Sequence, residues 1–193
     1  MKLIIGLGNP GKDYVGTRHN VGFEALDALA KELNLVWKKD AKRQSETAKG
    51  IWLENEIIFA KPKTFMNKSG SAAQALMAFY KIKPADLLIV HDDMDLSTSR
   101  LKLTAAGGAG GHNGIADIQQ QLGRRDISRL RIGIGRPERA SEAENWVLGK
   151  PPKDERKKIE EALSKTGDTI KTWIELGITR AMNKWNVKNE EKS

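Results

Sequence analysis

Three histidines are the side chains of this sequence best suited to proton transfer: His19, His91 and His112, each followed by Asn or Asp. All three fall in predicted loops or at strand ends, and none lies on the apolar face of a helix. Histidine is the one side chain whose unperturbed pKa suits proton transfer near neutral pH. A single loop histidine is usually only solvated, but the set predicts that one of them is a catalytic base.

A catalytic imidazole needs a second group that fixes its tautomer and stabilises the imidazolium. An Asp at the end of a strand is suited to that role. Asp92 follows the apolar strand Leu87–Val90 closely, whereas we expect Asp13 and Asp40 to be exposed. Asp92 is therefore the predicted partner of the base.

Three asparagines lie in three separate polar loops, at residues 8–20, 62–69 and 105–114. Asn9, Asn67 and Asn113 carry amides, which donate and accept hydrogen bonds without titrating. Such groups can bind a peptide or a sugar and stabilise a developing oxyanion. Taken singly, each asparagine is also explained by an ordinary turn.

Other catalytic chemistries find less support. The sequence contains no Cys, which excludes disulfides, thiolate metal ligands and a Cys nucleophile. A zinc site made of the three histidines stays an alternative, but such sites usually include a local His pair, and none exists here. No G-x-S-x-G motif marks a Ser nucleophile. We therefore expect a site without metal or cofactor.

Two glycine-rich segments have more than one interpretation. Gly6, Gly8 and Gly11 form the dinucleotide-binding pattern G-x-G-x-x-G after a strand, but that pattern needs a helix that begins at the third glycine. Helical periodicity begins only at Val21, so we do not expect a dinucleotide site. The run at residues 107–114 could bind a phosphate or carboxylate through backbone N–H groups, or form a lid or a tight turn.

The elements that must position these residues alternate between strands and helices. Strands are predicted at residues 2–7, 51–53, 57–60, 87–90, 101–103 and 130–134. Helices are predicted at residues 21–33, 72–79 and 115–122, with one or two more in the last 40 residues. This alternation predicts an α/β fold, a mixed, mostly parallel twisted sheet with helices on both faces. Ligands bind such sheets beyond the carboxyl ends of the strands, where the polar loops should converge.

Length and charge limit the remaining possibilities. The 193 residues fit a single domain over 1–193, in which 151–193 form a C-terminal helical tail. No apolar run approaches the roughly 18 residues that span a bilayer, and we expect a cytoplasmic protein. The net charge is +8, of which +5 falls in residues 100–139. Such a concentration of cations suggests an anionic partner, most commonly a nucleic acid.

Six motifs in order resemble those of the bacterial peptidyl-tRNA hydrolase family. They are Gly6-Leu-Gly-Asn-Pro-Gly11, Thr17-Arg-His-Asn20 with Tyr14 before it, Lys61-Pro-x-Thr-Phe-Met-Asn-x-Ser-Gly70, Asp92-Asp-x-Asp95, Gly110-Gly-His-Asn-Gly114 and Arg129-Leu-Arg-Ile-Gly-Ile-Gly-Arg-Pro137. The resemblance covers residue 2 to about residue 150, and the tail resembles the family's C-terminal helices more loosely.

The resemblance implies a metal-free esterase that cuts the bond between a peptide and the 3′ end of tRNA, with peptidyl-tRNA as its partner and the monomer as its state. It implies that His19 is the general base, that Asp92 stabilises its working form, and that Asn9 recognises the peptide. The positions that match contacts to the tRNA end or the peptide are Tyr14, Phe65, Asn67 and Asn113. Arg131 matches the family's clamp on the tRNA 5′ phosphate.

One departure from the family concerns that clamp. Thr104 occupies the position of the clamp's Lys, so Lys102 or Arg100 would have to replace it. This affects the expected phosphate affinity but not the expected chemistry. A non-catalytic RNA-binding protein on the same fold stays an alternative function.

Overall fold

The structure is a computed structural model and describes residues 1–188. Within that range seven strands form one mixed sheet. They are β1 Lys2–Gly6, β2 Lys38–Asp40, β3 Ser45–Trp52, β4 Asn55–Pro62, β5 Leu87–Asp93, β6 Leu101–Thr104 and β7 Ser128–Gly133. The order is β2-β3-β4-β1-β5-β7-β6. The four central strands β4, β1, β5 and β7 are parallel to one another, and antiparallel pairs complete both edges.

Helices cover both faces of this sheet. They are α1 Val21–Glu32, α2 Ser69–Tyr80, α3 Asn113–Leu122, α4 Ala143–Leu148, α5 Lys153–Ser164 and α6 Thr166–Lys188. Side chains alternate across β1, so that Ile4 packs with α1, α5 and α6 while Leu3 and Ile5 pack with α2 and α3. The predicted α/β architecture with helices on both faces is confirmed.

Some elements differ from the sequence-based expectation. The strand β2 was not predicted, because its residues Lys38-Lys39-Asp40 are charged, as is common at the edge of a sheet. The helix α4 was not predicted either, because it is short and none of its residues is buried. Asp40 was expected to be exposed, which is wrong, since it is buried and ion-paired with Arg43. The strand β5 extends through Asp93, so His91 and Asp92 lie within the strand and not after it.

The segment that follows residue 150 packs onto the same core as the sheet. Ile159 of α5 and Trp173 of α6 are completely buried in it. Near the end of α6, the Asn186 side chain accepts from the Leu103 backbone N–H and donates to its carbonyl oxygen, each at 3.0 Å. These bonds satisfy backbone groups of the edge strand β6. None of the helices in residues 1–188 combines the length and apolar character needed to cross a membrane.

Candidate active site

A cleft of about 380 Å³ opens beyond the carboxyl ends of the central strands. The three polar loops singled out from the sequence converge there, as expected for a parallel sheet. The cleft is lined by seven of the eight predicted site residues: Asn9, Tyr14, His19, Phe65, Asn67, Asp92 and Asn113. The eighth, Arg131, does not line it.

Local backbone geometry places His19 against the sheet. It lies in the single helical turn Arg18–Asn20, which leads directly into α1. A β-carbon at Gly22 would lie only 2.4 Å from the Val90 carbonyl oxygen and 2.6 Å from the backbone of Leu7. Only glycine therefore lets the start of α1 approach the ends of β1 and β5 so closely. This close approach carries His19 to the end of β5, where Asp92 lies.

The Asp92 carboxylate binds two histidines through a single oxygen. Its Oδ1 lies 2.8 Å from Nδ1 of His19 and 3.0 Å from Nε2 of His112. All three residues belong to different segments, and their side chains are almost completely buried. The predicted partnership of His19 with Asp92 is thus present in the geometry, and His112 is a third member that the sequence-based assignment left out.

The tautomer of His112 follows from its position at the start of α3. Its Nδ1 accepts the backbone N–H groups of Gly114 and Ile115, at 3.1 and 3.3 Å, which caps the helix. Because Nδ1 accepts, the proton of the neutral ring lies on Nε2, which donates to Asp92. With Asp92 ionised, His19 likewise donates from Nδ1 and keeps Nε2 free as an acceptor.

Burial and charge oppose each other in this cluster. Burial alone would raise the pKa of Asp92, but His19 and His112 outweigh it and hold that pKa well below its usual value. Burial alone would lower the pKa of His19, yet the charge and hydrogen bond of Asp92 raise it above 6.5. Asp92 is therefore a carboxylate at neutral pH, and His19 is a stronger base than a free imidazole.

The third histidine, His91, has a different environment. It is 2 % exposed, its Nδ1 donates to the Asp92 carbonyl oxygen at 2.7 Å, and its ring packs edge-on against His112. Burial, and then the neighbouring His112, lowers the pKa of His91 well below 6.5. A neutral buried ring of this kind supports the backbone of Asp92 and does not line the cleft.

Asn9 is held by hydrogen bonds on three sides. Its side-chain Oδ1 accepts the Met66 backbone N–H at 2.8 Å, and its backbone N–H and carbonyl bind the Asn20 side chain. Because Oδ1 is occupied by this donor, the Nδ2 group is the one left to donate into the cleft. Asn9 thus presents a fixed hydrogen-bond donor close to His19.

The remaining predicted residues form the rim of the cleft. Tyr14 and the exposed Phe65 face each other with ring centroids 6.5 Å apart and an interplanar angle of 76°. Asn67 lies in the turn Met66–Lys68, and Asn113 is the first residue of α3. Both asparagines are exposed and line the cleft. The rim therefore combines two aromatic faces with two untitratable amides.

Arg131 lies on β7, outside the cleft. Its Nε is 2.5 Å from Oδ2 of Asp93. On the neighbouring strand, Lys102 is directly opposite Arg131 in register, whereas Thr104 is opposite Arg129. Side chains directly opposite each other share a face of the sheet, so Lys102 and Arg131 point the same way.

The wall contributed by α4 was missed in the sequence. Ala143, Glu144, Val147 and Leu148 line the cleft, together with Met94, which follows β5. No periodic pattern marks a helix of only six residues, which explains the omission. The His112-Asn113 pair ahead of α3 did carry a signal for His112, since a polar residue before a helix commonly caps it.

The three-histidine zinc site has a partial counterpart in the described residues. His19, Asp92 and His112 each have one potential ligand atom, and these atoms lie within 4.8 Å of one another. His91, the third member of that alternative, is instead bonded to the Asp92 backbone. For His112 to bind a metal through Nε2, this nitrogen would have to lose the proton that its helix cap keeps there.

The rejected dinucleotide pattern can be judged directly. After Gly11 the chain forms only a three-residue turn, Lys12–Tyr14, and the first α-helix begins at Val21. The third glycine therefore does not begin an α-helix whose N-terminus could bind a pyrophosphate. The prediction that this glycine pattern lacks the required helix is confirmed.

Comparison with known proteins agrees with the motifs. A family model described as peptidyl-tRNA hydrolase matches residues 3–193. The peptidyl-tRNA hydrolase of Neisseria meningitidis is 45% identical over 170 residues, which are 88% of each chain. That of Dehalococcoides mccartyi is 43% identical over 189 residues, which are 96% of this chain and 100% of the relative.

Solved structures give the same result. The crystal structure of peptidyl-tRNA hydrolase from Acinetobacter baumannii superposes with a TM-score of 0.92 at 35% identity, covering 96% of this chain and 94% of that one. A complex of peptidyl-tRNA hydrolase with N-propanol also gives 0.92, at 36% identity, with the same coverage. The resemblance inferred from the six motifs is confirmed.

Proposed function

The chain belongs to the peptidyl-tRNA hydrolase family, and on that basis we propose that it hydrolyses peptidyl-tRNA with His19 as a general base and without a metal ion. The hydrolase class and the tRNA-borne substrate follow from the family. The observation that carries the finer proposal is the shared Asp92 oxygen, which fixes His19 with Nε2 free at the cleft.

In the proposed reaction, Nε2 of His19 takes a proton from water while the water oxygen attacks the carbonyl carbon of the ester. The tetrahedral intermediate then collapses, and the bond between that carbon and the ribose oxygen breaks. The imidazolium returns its proton to the ribose oxygen, which leaves free tRNA and a peptide acid. Asp92 stabilises the imidazolium between these two steps.

His112 keeps the second member of this pair in its working state. Its Nε2–H points at the same Asp92 oxygen that holds His19. This donor stabilises the carboxylate against protonation, and α3 fixes the ring through its cap. A carboxylate restrained by two donors cannot easily rotate away from His19.

Amide groups supply the proposed binding contacts. Asn9 donates from Nδ2 to a carbonyl of the peptide, and because its Oδ1 is occupied by Met66, it cannot present an acceptor instead. Asn67 and Asn113 at the rim bind the 3′ end or stabilise the oxyanion. Tyr14 and Phe65 present aromatic faces, on which bases of a single-stranded tRNA end stack regardless of sequence.

Metal-independence is supported by the hydrogen bonds of the cluster. Metal ligands must be deprotonated at the donor atom, whereas the cap of His112 keeps a proton on Nε2. The two histidines also contact one carboxylate oxygen at ordinary hydrogen-bond distances, 2.8 and 3.0 Å. This arrangement is that of a proton-transfer site.

The tRNA body is proposed to contact the face of the sheet that carries Arg131. Lys102 lies directly opposite Arg131, which makes it a better replacement for the clamp's lysine than Arg100. Binding of a phosphate there would compete with the ion pair between Arg131 and Asp93. Because peptidyl-tRNA arises where ribosomes work, the proposed compartment is the cytoplasm, and the proposed state is a monomer.

One assay tests the proposal. The protein is incubated with N-acetyl-aminoacyl-tRNA, with and without a chelator, and the release of free tRNA is measured. We expect turnover that survives chelation and is lost in His19→Ala. His91→Asn is the matched control, since it keeps a hydrogen-bond donor at a histidine outside the cleft, and it should retain most of the turnover. A protein that binds tRNA without releasing it would instead be the non-catalytic RNA-binding alternative.

A further inference from the structure

Arg18 is a buried charged residue that the proposed reaction does not use. It directly precedes His19, yet it is only 4 % exposed. Burying a guanidinium is costly unless partners satisfy it. The identity of those partners therefore shows what the residue holds in place.

The side-chain partners of Arg18 belong to the segment 146–155. Its Nη1 lies 3.2 Å from the Trp146 carbonyl oxygen and 3.5 Å from that of Gly149, and its Nη2 is 2.6 Å from Oε2 of Glu155. Its guanidinium carbon also stacks 3.8 Å from the Trp146 ring centroid. Arg18 thus binds the carbonyls left free at the end of α4, where a cation is electrostatically favourable.

The helix α4 depends on such contacts for its position. It has six residues, none of them buried, and isolated helices of this length are unstable in water. Its other side-chain anchor is Trp146, whose Nε1 donates to the Gly135 carbonyl oxygen at 3.0 Å. Even so, α4 supplies Ala143, Val147 and Leu148 to the wall of the cleft.

We propose that Arg18 is a positioning residue that fixes α4 against the loop of the base, and that the wall so formed selects peptides with an apolar side chain near the ester. The inference rests on the proposed function, because it takes the occupant of the cleft to be the peptide of peptidyl-tRNA. It assigns to the Arg of the Thr-Arg-His-Asn motif a role in peptide binding and not in proton transfer.

The test compares two substrates that share one tRNA and one ester. N-acetyl-Leu-Lys and N-acetyl-Gly-Lys are attached to the same lysine tRNA, so that they differ only in the penultimate side chain. Arg18→Met should raise KM about tenfold for the leucine substrate and at most about twofold for the glycine substrate, since one apolar group in a pocket typically changes selectivity by 10-fold or more. kcat and the pH dependence of the rate should stay unchanged.

Two further variants keep the test decisive. Trp146→Leu removes the stacking surface and the Gly135 bond from the other side, and it should reproduce the selective KM rise even if Arg18→Met does not fold. Arg156→Met is the matched control, because Arg156 also starts from α5 but pairs with Glu24 and Glu160. It should leave KM for both substrates unchanged, and thermal unfolding shows that each variant is folded.

Several outcomes would overturn the inference. An equal KM rise for both substrates would mean that the wall does not select side chains. A fall in kcat with a shifted pH profile would mean that Arg18 acts on His19. If folded Trp146→Leu behaves like the unmodified chain, α4 does not need this anchor. Failure of the unmodified chain to cleave either substrate would contradict the proposed function itself, which separates the two proposals.

Discussion

Replacing Asp92 with Asn removes a buried charge while keeping nearly the same side-chain shape. In the unmodified chain one oxygen of this carboxylate accepts from His19 and His112. The amide has one acceptor oxygen for both rings, and its NH2 group has no evident acceptor between them. Loss of a carboxylate that orients a catalytic histidine costs up to about 10⁴-fold in rate, and loss of general-base catalysis about 10²–10⁴-fold. We expect kcat/KM to fall within that range.

The pH dependence gives a sharper test than the rate alone. His19 must be neutral to accept a proton, and its pKa is raised above 6.5 by Asp92 against the effect of burial. The rate of the unmodified chain should therefore rise with pH through a value above 6.5. In Asp92→Asn, burial acts without the carboxylate, so the rising limb should move below about 6.5.

Stability should change in a defined pH window. The lowered pKa of Asp92 adds stability above its unfolded-state pKa of about 3.9, and this is lost as pH falls towards the folded-state value. The raised pKa of His19 adds stability below about 6.5, which is lost as pH rises through the folded-state value. The difference between the two proteins should thus be largest between about pH 4 and about pH 6.5, at about 2–4 kcal/mol for a buried pair.

Initial rates of tRNA release from about pH 5 to about pH 9 and denaturant unfolding at several pH values check both parts. A rising limb that stays where it is in the unmodified chain would refute the role of Asp92 in setting the basicity of His19. An unfolding free energy that is lowered equally at all pH values would assign Asp92 a packing role alone.

Three further predictions concern the base, the metal and the tRNA body. His19→Ala should lower kcat by about 10²–10⁴-fold with little change in KM, and near-normal turnover measured in the folded variant would exclude His19 as the base. Activity should survive prolonged chelation, because His112 keeps a proton on the nitrogen that faces Asp92; loss on chelation with recovery on added zinc would contradict the metal-free site. Arg131→Ala should raise KM for full-length peptidyl-tRNA and flatten its salt dependence with kcat unchanged, while Thr104→Lys should lower KM modestly. If a substrate carrying only the 3′ end suffers equally from Arg131→Ala, or unfolding shows a loss of stability, Arg131 supports the sheet and does not clamp phosphate.

The sequence by itself determined the fold class and most of the cleft. Apolar alternation predicted the central strands, and the polar loops that follow them had to converge because parallel strands end at the same edge of the sheet. His19, Asp92 and the three asparagines lie in these loops or at a strand end, so residue type and position along the chain sufficed to group them. The six ordered motifs identified the family independently of this reasoning.

Only the tertiary structure decided how the histidines divide their roles. All three have a similar sequence context, yet His91 is buried beneath the site, His112 caps α3 and binds Asp92, and His19 lines the cleft with a free Nε2. These differences depend on which ring meets the carboxylate, a contact between segments 20 and 73 residues apart. No local pattern encodes such a contact.

The position of α4 and the partners of the arginines were likewise hidden from the sequence. A six-residue helix without a buried face has no periodicity to detect, and it is placed by Arg18, 128 residues away from Trp146. Net charge predicted an anionic partner, but it could not show that Arg131 is ion-paired with Asp93 while Lys102 lies beside it. Charge is a property of composition, whereas the pairing of charges is set by the register of the sheet.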